Sequence, residues 1–159
     1  MIDMYDEEYY EKIAKKWKPK KVKIMFVAES PPKPKKNKAD YFYDANSNLK
    51  VGLAKEINES LDFKFKDKKD FLTKFQKKGY LLIDIFPTYK KFDVFNNGAP
   101  SAQEKKEIIE RFSFLINDNK PEKIIFICKR AVKLLSLPYP NYKNNKELFR
   151  DELRMVLKD

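Results

Sequence analysis

The chain has 159 residues, enough for one domain that buries roughly two-thirds of the surface its unfolded form would expose. A hydrophobic fraction of 42% with 14% aromatics excludes an intrinsically disordered chain. The sequence has no histidine and a single cysteine, Cys128, which excludes Ser-His-Asp and Cys-His catalysis, an internal disulfide and cysteine-held zinc or iron–sulfur centres. Chemistry in this chain must rest on carboxylates, hydroxyls, amides, lysines and backbone dipoles.

Lysine and arginine number 35 against 24 acids, for a net charge of +11 and a pI near 9.5. A small domain of that charge attracts phosphate backbones at long range. Only Arg111, Arg130, Arg150 and Arg154 are arginine, and lysine-rich composition also fits thermophily or genome bias. No apolar run reaches the ~20 residues of a membrane helix, and the opening MIDMYDEEYYEK is acidic rather than signal-like. The expectation is a cytoplasmic protein with no membrane partner.

No repeat or long linker divides the chain, so residues 1–159 read as a single domain. Asp3 to Trp17 reads as a helix, with Tyr5, Tyr9, Ile13 and Trp17 on one face, acids early and lysines late. Pro19 ends it. Val22 to Ala28, VKIMFVA, is a continuous apolar run of strand length, as expected of a strand buried on both faces. The loop ESPPKPKKNKADYFYD follows. A helix is expected over Leu49 to Leu61, and a shorter one around Asp70 to Lys77, stopped by Gly79 as a C-cap.

Tyr80 to Phe86, YLLIDIF, is the second buried strand and carries one acid, Asp84. Ser101 with Glu104 forms a capping box that opens a third helix, with Ile108, Ile109, Phe112, Leu115 and Ile116 as its apolar face. Lys123 to Cys128, KIIFIC, is the third strand, and Lys129 to Leu135 a short helix. A brief extended stretch from Leu135 to Pro138 precedes PYPNYKNN, and the last helix runs from about Lys146 to Leu157.

Strands alternating with helices imply an α/β fold with parallel pairing and helices on both faces of the sheet. Ligands of such sheets bind beyond the C-terminal strand ends. Glu29 to Pro32, Asp84 to Pro87, Lys129 with Arg130, and Pro138 to Asn141 are expected to gather there.

Glu29 follows a buried strand and precedes two prolines that stiffen the loop. It is placed either to hold a water against developing positive charge, or to brace the loop. Asp84 sits in an apolar run, where an acid is costly unless it is hydrogen-bonded or opens onto a site. Tyr41, Phe42 and Tyr43 could stack a base, or fold their loop onto the core. The run KPKKNK (Lys33 to Lys38) flanks the expected pocket and is the first choice for phosphate contact. Three glycines in total leave no phosphate-binding glycine loop, so ATPase and dinucleotide readings fall away.

The order of these pieces resembles the uracil-DNA glycosylase superfamily. Ala28-Glu29-Ser30-Pro31-Pro32 is similar to its Gly-Glu-Ala-Pro-Gly loop, and Phe42 and Tyr43 lie where the base-stacking aromatic follows. Asp84 stands at the position of its base-reading amide. PEKIIFICKRAVKLL with Tyr139-Pro140-Asn141 and the tail NKELF is similar in order to its segment ending in a His-Pro-Ser motif. The likeness spans about Lys21 to the C-terminus. Three departures stand out: Ser30 where many members carry Asp, Tyr139 in place of the motif histidine, and no iron–sulfur cysteines.

The resemblance implies a three-layer αβα fold with a small, about four-stranded parallel sheet. It implies a DNA glycosylase of base excision repair, a hydrolase of N-glycosyl bonds acting as a monomer without cofactor or metal. Its partner would be DNA, in single or double strands. Glu29, Tyr139 and Asn141 would be catalytic, and Phe42, Tyr43 and Asp84 would bind the base. Ser30, Lys33, Lys35, Lys36, Lys38, Lys129 and Arg130 would meet the backbone. A carboxylate at residue 84 only accepts hydrogen bonds, so it suits a base with an exocyclic amine better than uracil unless it is protonated. Two other classes stay open: a catalytically silent nucleic-acid binder of this fold, and an unrelated small-molecule enzyme or partner module on a doubly wound sheet.

Overall fold

The computed structural model describes residues 6–34, 41–46, 59, 64–89 and 101–127. Within them the elements run α1 (Glu7–Lys16), β1 (Ile24–Ala28), α2 (Lys68–Lys77), β2 (Tyr80–Asp84), α3 (Ala102–Asn119) and β3 (Lys123–Phe126). The helices expected over 49–61 (Glu59 apart), 129–135 and 146–157, and the extended stretch over 135–138, lie outside the described residues.

β1 pairs in parallel with both neighbours, so the three strands lie in the order β2-β1-β3. The chain is a mixed α/β fold on a small parallel sheet. The apolar runs outlast the ladder at both ends. β1 starts at Ile24 and β2 stops at Asp84, yet Val22, Ile85 and Phe86 are buried all the same.

Each helix starts on a side chain that satisfies an otherwise orphaned amide. Asp6 accepts from Tyr9 N–H at 3.0 Å, Asp67 from Asp70 N–H at 2.8 Å, and Ser101 from Glu104 N–H at 3.1 Å. The Asp67 cap is why α2 begins at Lys68, ahead of the expected Asp70. At its far end Gly79 takes φ +77 and donates to Gln76 C=O, which turns the chain directly into β2.

Alternate residues of a strand point to opposite faces. The Phe26 ring meets Phe75 of α2 at 5.7 Å. Phe126, paired in register with Val27, meets Phe112 of α3 at 5.9 Å. Those two contacts put α2 and α3 against opposite sides of the sheet. Two expectations about the helix faces change. Tyr10, left off the expected α1 stripe, is its most buried member, and Ile109 of α3 is 45% exposed.

β2 is an outer strand among the described residues, and side chains occupy its open edge. The Tyr43 hydroxyl accepts from Leu82 N–H at 2.6 Å and donates to Leu82 C=O at 2.7 Å. Arg111 donates Nε and Nη2 to Asp84 C=O at 3.4 and 3.2 Å. These bonds occupy the edge at Leu82 and at Asp84 C=O, where a further strand would otherwise pair.

Candidate functional site

Register fixes the first relationship at the site. Ala28 pairs with Asp84, and beyond them Ile85 N–H donates to Ala28 C=O (3.1 Å) and Phe86 N–H to Glu29 C=O (3.0 Å). Asp84 is therefore level with Ala28 at the C-terminal edge of the sheet, and Glu29 follows one residue beyond that pair. Glu29 and Ser30 are half-buried, Pro31 is buried and Lys33 is exposed. The Tyr10 hydroxyl donates to Pro32 C=O at 3.3 Å and ties the proline loop to α1.

A cleft opens beside these ends. Glu11 pairs with Arg111 at 3.9 Å and Lys18 with Asp118 at 2.9 Å, so residues seven apart on one segment meet residues seven apart on the other. That match requires α1 and α3 to run parallel, bridged about two turns (~10 Å) apart. Between them lies a cleft of about 350 Å³, within the span of small-molecule sites at about 300–1,000 Å³. Leu81 and Ile83 contribute to its apolar wall, and Tyr10, Pro31, Tyr41 and Asp84 line it toward the strand ends.

Asp84 is 8% exposed, and burial pushes its carboxyl up from 3.8 to about 7, against the opposing pull of the Arg111 charge. Near neutral pH this group passes between a form that donates and accepts and a form that only accepts. Burial first, and then the Asp84 charge, raise the Tyr41 hydroxyl well above its usual range, so it stays protonated. At the other end of the cleft, Asn119 donates Nδ2 to Leu115 C=O at 2.8 Å. Its Oδ1 is buried without a partner among the described residues, an acceptor open to a donor in the cleft.

Of the two readings of the aromatic loop, folding onto the core is the one the structure shows for Phe42 and Tyr43. Phe42 and Tyr43 are core residues, 8% and 1% exposed, and neither lines the cleft. Phe42 is enclosed by Tyr43, Phe71 and Phe75, with Lys68 Nζ 5.7 Å from its ring centre. Tyr43 is committed to Leu82. Neither ring presents a face to a base in this structure, and Tyr41 is the member of the trio that meets the cleft.

Asp84 lines the cleft, whereas Glu29, Ser30 and Lys33, which follow β1 at the same end of the sheet, are not among its lining residues. Lys35, Lys36, Lys38, Lys129, Arg130, Tyr139 and Asn141 lie outside the described residues. Sequence reasoning missed Tyr10 and Arg111. Arg111 did leave a signal: it sits three residues after Ile108 and four before Leu115, on the inward side of an amphipathic helix. Comparison with family models, with curated proteins and with solved structures gives no match.

Proposed function

We propose that the chain is a base-excising DNA glycosylase of the uracil-DNA glycosylase type, with a three-layer αβα domain and an about four-stranded sheet. The reading rests above all on the level pairing of Ala28 with Asp84, which sets Glu29 and a buried, protonatable Asp84 on adjacent strand ends. A nucleotide is drawn out of its strand into the pocket, as any enzyme that reacts at a base requires. Asp84 reads the base edge. As the C1′–N bond breaks, electrons leave with the base and positive charge grows on the sugar. Glu29 offsets that charge and orients the water whose oxygen bonds to C1′. Tyr139 and Asn141 hydrogen-bond the leaving base.

The raised carboxyl of Asp84 bears on which base is read. Protonated, it donates and accepts as an amide does and tolerates uracil; ionised, it favours an exocyclic amine. One observation favours a second reading, a silent nucleic-acid binder: Phe42 and Tyr43 are packed away from the cleft. Glu29→Gln separates the two. An excising enzyme loses base release in that variant while keeping its affinity for oligonucleotide, whereas a silent binder has no release to lose.

A further inference from the structure

Among the described residues, α1, α2 and α3 all end at the N-terminal edge of the sheet, opposite the strand ends discussed above. Ile24, Tyr80 and Lys123 form one register row, and the residues just before them share one surface. Lys23 N–H donates to Gly79 C=O at 2.7 Å, and Lys123 N–H to Lys23 C=O at 2.9 Å. Gln76 of α2 donates to Lys18 C=O at 3.1 Å, which fastens the end of α1 to the same edge.

This edge is rich in exposed lysine. The approach to β1 brings Lys18, Lys20, Lys21 and Lys23. The end of α2 brings Lys77 and Lys78, and the α3–β3 connection brings Lys120 and Lys123. Against these eight, Asp118 and Glu122 are the acids at this edge among the described residues, pairing with Lys18 at 2.9 Å and Lys21 at 3.1 Å.

Helix ends alone would attract some lysines, since each C-terminus carries about half a negative charge. Three such ends account for roughly −1.5, well short of the excess of six. The remaining charge has no internal purpose among the described residues. Lys120 even takes φ 45, a left-handed cap that glycine or asparagine fills with less strain.

We infer that this lysine face at the N-terminal strand ends is a second nucleic-acid surface, one that grips the phosphate backbone without reading sequence. Three chain segments supply it, so it is built by the fold and not by one charged run. Trp17, Pro19 and Val22, the large apolar residues beside it, are all buried, so it offers nothing to insert into lipid. A lysine surface without apolar anchors suits an extended row of phosphates. It lies at the opposite end of the strands from Glu29 and Asp84, so the nucleic acid held there is a segment other than the one bearing the reacting base.

The test compares two triple variants of the full chain with equal change in charge. Lys23→Gln/Lys78→Gln/Lys123→Gln acts on this face. Lys69→Gln/Lys105→Gln/Lys106→Gln acts on exposed lysines near the starts of α2 and α3, at the other end of the molecule. Both are checked for an unchanged melting curve, then titrated with a labelled duplex across a salt series. The first triple is expected to lose at least tenfold in affinity at 0.1 M salt. Its slope of log affinity on log salt falls by about 2.7, at ~0.9 per phosphate released. The second triple changes less than threefold. Equal losses in the two, no loss in the first, or binding by the wild type to phosphatidylserine vesicles and not to duplex, would overturn the inference. Base release is scored separately on the same variants. No release in any of them sinks excision but leaves this face standing, and unchanged duplex affinity in the first triple sinks this face alone.

Discussion

The Tyr43 hydroxyl holds both backbone groups of Leu82, accepting its N–H at 2.6 Å and donating to its C=O at 2.7 Å. A side chain thereby does for the edge of β2 what another strand would otherwise do. Tyr43→Phe keeps the ring in its edge-on contacts with Tyr41 and Phe42 but strands two buried groups. At about 1–3 kcal/mol for each unpaired group, the expected loss is roughly 2–6 kcal/mol in urea unfolding. A midpoint equal to the wild type would show that water replaces the hydroxyl.

Gly79 makes a second backbone prediction. It has φ +77, and a Cβ added there would lie 3.0 Å from Lys21 C=O oxygen and 3.0 Å from Lys23 Cγ. Gly-to-Ala changes at compatible sites stabilise by about 0.4–1 kcal/mol through the unfolded chain. Here the backbone oxygen cannot retreat without disturbing β1, and the left-handed conformation itself adds about 1–2 kcal/mol. Gly79→Ala is therefore expected to lower thermal stability clearly, and a rise would contradict the close approach.

Asp84 makes stability depend on pH. Its folded carboxyl titrates near 7 against an ordinary 3.8, so between those values the folded state binds more protons than the unfolded one. The contribution of this group is greatest below about pH 4, declines as pH rises, and levels off above about 7. Over the full range the difference is on the order of 4 kcal/mol. Asp84→Asn cannot ionise and should gain on the wild type from pH 5 to about 7 in urea midpoint, with the gap level above that. Parallel profiles for the two proteins would contradict a buried carboxyl.

Arg111 pulls the Asp84 carboxyl down while bonding its backbone oxygen. Arg111→Gln removes the charge, and the Asp84 titration is expected to move higher still, read as a carboxyl resonance followed by NMR against pH. An unmoved titration would mean that the guanidinium is screened from the carboxyl.

The three strands were legible as continuous apolar runs, which in β1 and β2 reflect burial on both faces, and Asp84 stood out as the one acid inside such a run. The caps at Ser101 and Gly79 were equally readable, since each residue type answers a specific backbone need. The roles within Tyr41-Phe42-Tyr43 were not. Three adjacent rings look alike in sequence, and only the open edge of β2 decides that Tyr43 bonds Leu82 while Tyr41 meets the cleft. The pairing of α1 with α3 was likewise hidden, because Glu11 and Arg111 are a hundred residues apart and meet only once both helices cover one face. The lysine face escaped for the same reason, as its charges are spread over three segments.

The proposed reading also ties base choice to pH. Uracil release relative to release of a base with an exocyclic amine is expected to fall between pH 6 and 8 in the wild type. It should stay flat in Asp84→Asn, whose amide donates at every pH. If uracil release in Asp84→Asn at pH 8 is unchanged or lower than in the wild type, residue 84 does not read the base.

The most direct test of the excision reading is single-turnover base release from labelled oligonucleotides carrying uracil, modified cytosines, hypoxanthine or oxidised pyrimidines. Each is offered in single and double strands to the wild type and to Glu29→Gln. The account predicts release of one class of base by the wild type, with at least a hundredfold loss in the variant and oligonucleotide affinity retained. Intact, salt-sensitive binding with no base released from any substrate would contradict it.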